Sequence, residues 1–86
     1  MFVITEQRHV DYEEDEFFVH DTLHKDKKSA ERAMRKALGS AVRAAVRADY
    51  IDDSTDIDFE FDSFECIADG QDWWCKCTIW EVGSNV

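Results

Sequence analysis

Glycine and proline are nearly missing from this chain of 86 residues, which has three glycines, at positions 39, 70 and 83, and no proline. A loop that cradles phosphate needs clustered glycines, so this spacing excludes one. No apolar run approaches the roughly 18 residues of a membrane-spanning helix. The opening residues Met1-Phe2-Val3-Ile4-Thr5-Glu6 lack the basic start and long apolar stretch of a secretory leader. The three cysteines are odd in number. Without a leader they are expected to be reduced thiols in a cytoplasm. The length excludes a two-domain enzyme, a dinucleotide-binding fold and a barrel, and one domain over residues 1–86 is expected. Such a domain buries only about 60 to 65% of its unfolded surface, so its stability is modest unless a partner adds to it. What is present is aromatic: 3 Trp, 2 Tyr and 6 Phe in a chain 44% hydrophobic, which argues against disorder.

Basic residues are scarce and unevenly placed. The formal charge is −10. Residues 25–47 hold Lys25, Lys27, Lys28, Arg32, Arg35, Lys36, Arg43 and Arg47 against Asp26 and Glu31, a net of +6, which leaves −16 on the rest. Charge of this sign repels phosphate at long range, so direct nucleic-acid binding is not expected. It suits a basic partner, and nucleic-acid-handling proteins carry the largest basic surfaces. Two plainer readings stand beside it: acidity for solubility, and adaptation to high salt, with 12 Asp against 8 Glu.

The clearest element is a helix at 27–48, with Asp26 as its N-cap. Ala30, Ala33, Met34, Ala37, Leu38, Ala41, Val42, Ala45 and Val46 recur at spacings of three and four, an apolar stripe on the order of 33 Å long. Gly39-Ser40 is a weak point. A strand is expected at 2–10 and a second at 16–23, joined through Glu13-Glu14-Asp15. Ile57, Phe59 and Phe61 alternate with acids, and Phe64, Cys66 and Ala68 continue the alternation one residue out of phase. A bulge near Asp62-Ser63 is expected to absorb the shift. Asp69-Gly70 reads as a two-residue hairpin turn before a return strand at 73–82, pairing Ala68 with Gln71, Cys66 with Trp73 and Phe64 with Cys75. The expected fold is α+β: an antiparallel sheet of three to four strands in the order ββαββ, with one long helix on one face.

That register puts Ile57, Phe59, Phe61, Phe64, Cys66, Trp73, Cys75, Cys77 and Ile79 on the helix side. Asp58, Glu60, Glu65, Ile67, Trp74, Lys76, Thr78, Trp80 and Val82 fall on the other. A slip of one residue would exchange the two sets. Cys66, Cys75 and Cys77 suit a buried core, with a metal site or a disulfide as alternatives; knuckle spacing is absent. His9, His20 and His24 read as surface residues. The acidic stretch 49–62 lacks the mid-loop Gly and terminal Glu of a calcium loop. Neither a nucleophile nor an acid/base pair stands out, so no enzyme and no cofactor are expected. The basic helix reads as an internal complement to acidic neighbours. Trp74 and Trp80, flanked by acids, resemble a protein-binding patch. Alternatively the patch is covered by another part of the chain or a second copy.

In its acidic runs Glu13-Glu14-Asp15-Glu16 and Asp49 to Asp62, and in its strand–helix–hairpin order, the chain resembles the small phage-encoded anti-defence proteins, in particular the anti-CRISPR inhibitors. The resemblance is one of composition and architecture, with no diagnostic motif. The basic helix departs from it. It implies binding to the basic groove of a nucleic-acid-guided complex in a host cytoplasm, without catalysis. The expected partner-binding residues are Trp74, Trp80, Asp56, Asp58, Glu60, Glu65, Glu13, Glu14 and Asp15. The partner is expected to be a protein with a basic nucleic-acid-binding surface, with no membrane and no metal. The alternative is a homodimeric structural or regulatory module without nucleic-acid mimicry.

Overall fold

The computed structural model describes residues 1–83. Its elements are β1 (Phe2–Val10), β2 (Glu16–Val19), α1 (Lys27–Arg47), β3 (Asp58–Phe61), β4 (Glu65–Asp69) and β5 (Trp73–Glu81). All pairings are antiparallel, in one five-stranded sheet ordered β2-β1-β5-β4-β3. The fold is α+β with one helix, as expected, but the order is ββαβββ and the sheet has one strand more.

The additional strand comes from Asp62. Its carboxylate accepts hydrogen bonds from the backbone N–H of Phe64 and of Glu65, both at 2.8 Å, and its own N–H donates to the Glu65 carbonyl at 2.9 Å. This side-chain-closed turn folds β3 back onto β4 where a bulge was expected. The β4–β5 turn is also longer than two residues. Asp69 pairs with Trp74, Ala68 with Cys75 and Cys66 with Cys77. The register is displaced by four from the expected one. Four is even, so every side chain keeps its face. The second strand ends at Val19 rather than at residue 23; the chain rejoins the sheet through the Phe2–His24 bridge.

Helix α1 starts where its cap dictates: the extended Asp26 accepts from the Ser29 N–H at 2.7 Å. It runs unbroken through Gly39-Ser40. It ends with Asp49 in the left-handed region (φ 62). There the Tyr50 N–H donates to Ala45 O and the Asp49 N–H to Val46 O, which satisfies two terminal carbonyls. No helix among the described residues is long and apolar enough to cross a membrane.

The core lies between α1 and the three central strands. Ala30, Met34, Leu38, Ala41 and Ala45 meet Ile4, Trp73, Cys75, Cys77, Ile79, Cys66 and Ala68. All three thiols are buried, and the described residues contain no metal-binding group of His, Cys, Asp or Glu. Hydrogen bonding to Cys66 and Cys75, and then burial, push the Cys77 thiol far above its ordinary range.

α1 packs over β5, β1 and β4 and leaves both edge strands outside its footprint. A helix about 10 Å across cannot cover five strands spaced about 4.8 Å apart. Phe59 and Phe61 therefore lie on the helix side, as expected, yet remain half-exposed, and so does Phe64 in the turn. They are not core. The two rings of β3 stack at 6.1 Å, Arg35 lies over Phe61 at 5.0 Å, and Lys27 lies over Phe64 at 3.7 Å. Two of the basic side chains of α1, Lys27 and Arg35, thus rest on aromatic faces. Among the described residues, the only α1 cation within 4 Å of a carboxylate is Lys27, paired with Glu31 on its own helix.

Candidate functional site: an acidic end beside an uncovered sheet face

The antiparallel register gathers three connections at one end of the molecule. Val10, the end of β1, pairs with Trp73, the start of β5; Asp69, the end of β4, pairs with Trp74 and with Asp58, the start of β3. The Asp11 N–H donates to the Asp72 carbonyl at 2.9 Å, tying two of the turns together. The buried Ile51 brings the α1–β3 loop to the same place, against Gly70. These connections and their flanks carry twelve carboxylates: Asp11, Glu13, Glu14, Asp15, Glu16, Asp49, Asp52, Asp53, Asp56, Asp58, Asp69 and Asp72. The opposite end holds the start of α1, with Lys25, Lys27 and Lys28, beside the β3–β4 turn.

Local bonds shape the acidic end. His9 is clasped between two carboxylates, with Nδ1 2.7 Å from Asp15 and Nε2 3.0 Å from Asp11. Both ring nitrogens can donate only in the imidazolium form. The hydrogen bond to Asp15, then that to Asp11, hold the His9 pKa above its ordinary 6.5. His9 in turn, followed by Gln7 donating at 2.9 Å, holds the Asp15 carboxyl below its usual range. The imidazole stacks on Trp74 at 5.3 Å with 13° between the planes. In the α1–β3 loop the Asp52 carboxylate accepts from the Ser54 hydroxyl and N–H and from the Thr55 hydroxyl, which lowers its pKa. At the tip of the β1–β2 turn, Tyr12 is fully exposed and has a left-handed backbone (φ 70), a strained conformation for a bulky residue.

Among the described residues, no other element covers the face of the sheet away from α1. By register it carries Val3, Thr5, Gln7 and His9 of β1, Phe17 and Val19 of β2, and Trp74, Lys76, Thr78 and Trp80 of β5. Glu65, Ile67 and Asp69 of β4 and Asp58 and Glu60 of β3 complete it. Its β2–β1–β5 half interleaves Val3, Phe17, Val19, Trp74 and Trp80 with as many polar residues and contains a shallow groove of about 420 Å³ with Phe17, Val19 and Trp80 in its walls. The Trp80 indole N–H donates to Thr5 Oγ1 at 2.8 Å, while its ring stays 55% exposed. The β4–β3 half is acidic. Lys76 is the cation between the halves, 3.9 Å from Glu65.

The residues expected to bind a partner therefore divide. Glu13, Glu14, Asp15, Asp56 and Asp58 meet at the acidic end, with Trp74 beside them. Trp80 and Glu65 lie toward the other end of the sheet, about 20 Å along the strands from Trp74 for Trp80 and about 13 Å for Glu65, which pairs with Thr78. Glu60 lies between, on the acidic edge. Sequence reasoning missed Tyr12, Phe17, Val19 and the His9 clasp. The alternation of Gln7, His9 and Asp11 across from Glu13-Glu14-Asp15 was the available signal for the clasp. Nothing in the sequence marks the strained Tyr12. Among the described residues the one His–Ser contact, His24 Nδ1 to Ser29 Oγ at 3.3 Å, belongs to the start of α1. In comparisons with known proteins, the chain matches no family model, no curated protein and no solved structure.

Proposed function

We propose that this chain is a non-enzymatic inhibitor or adaptor that docks on a basic, nucleic-acid-handling protein, in the manner implied by its resemblance to the anti-CRISPR proteins. One observation carries the reading: three connections bring twelve carboxylates to a single end, next to Trp74 and an uncovered sheet face. Carboxylates at that end take the Arg and Lys sites that would otherwise hold phosphates. Tyr12 and Trp74 supply aromatic anchors among them. The basic start of α1 lies at the far end and does not oppose the approach.

The test is capture from a bacterial lysate by the tagged protein at low and high salt, followed by competition with nucleic acid for the captured complex. The expected result is a nucleic-acid-binding protein that is released at high salt and displaced by nucleic acid. Paired reversals, Glu13→Lys with Glu14→Lys or Asp56→Lys with Asp58→Lys, should abolish capture. Retention unchanged by salt and by both reversals would refute charge mimicry. The second reading, a homodimeric module, is favoured by a different observation: Phe17 and Val19 are exposed on an edge strand beside the apolar groove.

A further inference from the structure

We propose that a second copy of this chain pairs antiparallel with the free edge of β2, across a two-fold axis through Phe18, and extends the sheet to ten strands. The proposal gives the homodimeric reading a specific interface and is independent of the basic-partner reading.

The hydrogen-bond phase of β2 decides which groups are free. The His20 N–H donates to Ile4 O at 2.9 Å, so His20, Phe18 and Glu16 turn their backbone groups inward to β1. The N–H and C=O of Phe17 and Val19 therefore point outward, at the end of the sheet. Their side chains share the uncovered face, 72% and 69% exposed. Native edges are usually guarded by a charge, a proline or a bulge. Between Glu16 and His20, β2 has none of these.

Self-pairing satisfies this edge in one register. Phe17 of one copy stands opposite Val19 of the second, and the reverse, so all four outward groups of each copy find partners. Phe18 then meets Phe18 on the axis as a non-hydrogen-bonded pair. Glu16 falls opposite His20 of the second copy and meets no carboxylate. The next pair out, Asp15 with Asp21, lies beyond the strand, and Asp15 is drawn back onto His9 and Gln7. Antiparallel pairing also points the two acidic ends in opposite directions. On the uncovered face, Phe17 and Val19 of the two copies join the Trp80 grooves into one apolar strip.

The other edge behaves oppositely under the same operation. In β3 the Asp62 N–H bonds to Glu65 O, so Phe59 and Phe61 carry the outward groups. Pairing Phe59 with Phe61 of a second copy would set Glu60 against Glu60 and Asp58 against Asp62. Every charged pair would be of like sign. β3 is guarded against a second copy and β2 is not. The β2 edge is only four residues long. That is small beside the roughly 800 Å² per partner of a stable interface, so the dimer is reversible and concentration-dependent.

Sedimentation velocity of the full chain from about 10 µM to about 1 mM, at low and high salt, tests the proposal. The expected result is a monomer–dimer equilibrium that salt strengthens, because each copy carries −10. Salt weakens the complex with a basic partner, so failure of one idea is distinguishable from failure of the other. Phe17→Lys or Val19→Lys, both at exposed positions, should raise the dimer dissociation constant by about tenfold or more. Under diamide, Phe18→Cys should form a disulfide-linked dimer, because facing residues of a non-hydrogen-bonded pair lie within disulfide reach. Phe59→Cys should not. A chain that stays monomeric at every concentration and salt overturns the proposal. So does a dimer indifferent to both lysine substitutions, or cross-linking no faster at position 18 than at 59.

Discussion

Replacing Arg8 with methionine should cost about 2 kcal/mol of stability, and the cost should come from Glu6. Glu6 is the one buried charged residue among those described, 5% exposed on the helix side of β1. Its carboxylate accepts from Arg8 Nε and meets His20 Nε2 at 3.1 Å; the Cys75 thiol is 3.9 Å away. Removing one member of a fully buried ion pair costs about 3–5 kcal/mol, because the survivor is left uncompensated. Arg8 is partly exposed, and His20 still serves Glu6 in the variant, so the lower figure applies. For a domain of this size it corresponds to a fall in Tm of about 8–16 °C. The double variant Arg8→Met, Glu6→Leu removes both charges and should return to within about 1 kcal/mol of the parent. Urea unfolding followed by far-UV circular dichroism and by tryptophan emission measures all of these. An Arg8→Met loss below about 0.5 kcal/mol, or a double variant equal to the sum of its singles, would refute the reasoning. The cluster also matters for the surface, since Glu6 to His20 is a side-chain tie between β1 and the end of β2.

The His9 clasp makes stability pH-dependent. Its folded pKa lies above the unfolded 6.5, so its contribution is complete below pH 6.5 and is lost as pH rises through the folded value. Urea midpoints across this range should fall, Trp74 emission should change in parallel, and His9→Ala should remove both responses. The three thiols should ignore Ellman's reagent in the native protein and react together only on unfolding, because all are buried. Tyr12→Gly should stabilise the chain by about 0.5–1 kcal/mol in thermal unfolding, by relieving the left-handed backbone, while weakening capture of a basic partner.

Much of this fold is legible in the sequence because its signals are local. Asp26 caps one helix start, and the Ala-rich stripe marks the side that meets the sheet. β1 spans the expected residues. The face of every β4 and β5 residue is readable despite a turn of the wrong length, because a displacement of four preserves parity. What is not legible depends on tertiary reach. A one-residue phase change at Asp62-Ser63 is compatible with a bulge and with a turn, and only side-chain capture of the Phe64 and Glu65 N–H groups selects the turn. The helix-side placement of Phe59 and Phe61 is readable, but their exposure follows from the width of one helix against five strands. The acidic end is invisible to composition alone: the runs at 13–16 and 49–58 and the pair Asp69 and Asp72 converge only through the strand order.

The separation of charge along the strands also bears on kinetics. Twelve carboxylates gather at one end, while at the other Lys25, Lys27 and Lys28 offset Asp26, Glu31, Asp62 and Glu65, so the charge is unequal along the strands and gives the chain an electric dipole. At the acidic end the partial negative charge of the α1 C-terminus is offset by Arg47 in its last turn, so the carboxylates of the connections set the sign there. In the field of a positively charged surface such a body feels torque as well as attraction, and arrives already turned with its carboxylates forward. Encounter is then faster than random collision allows, and salt acts mainly on the association rate. Two copies joined antiparallel would oppose their dipoles along the strands. The pair would keep twice the net charge but lose the torque, so that self-association would trade directional approach for two equivalent ends.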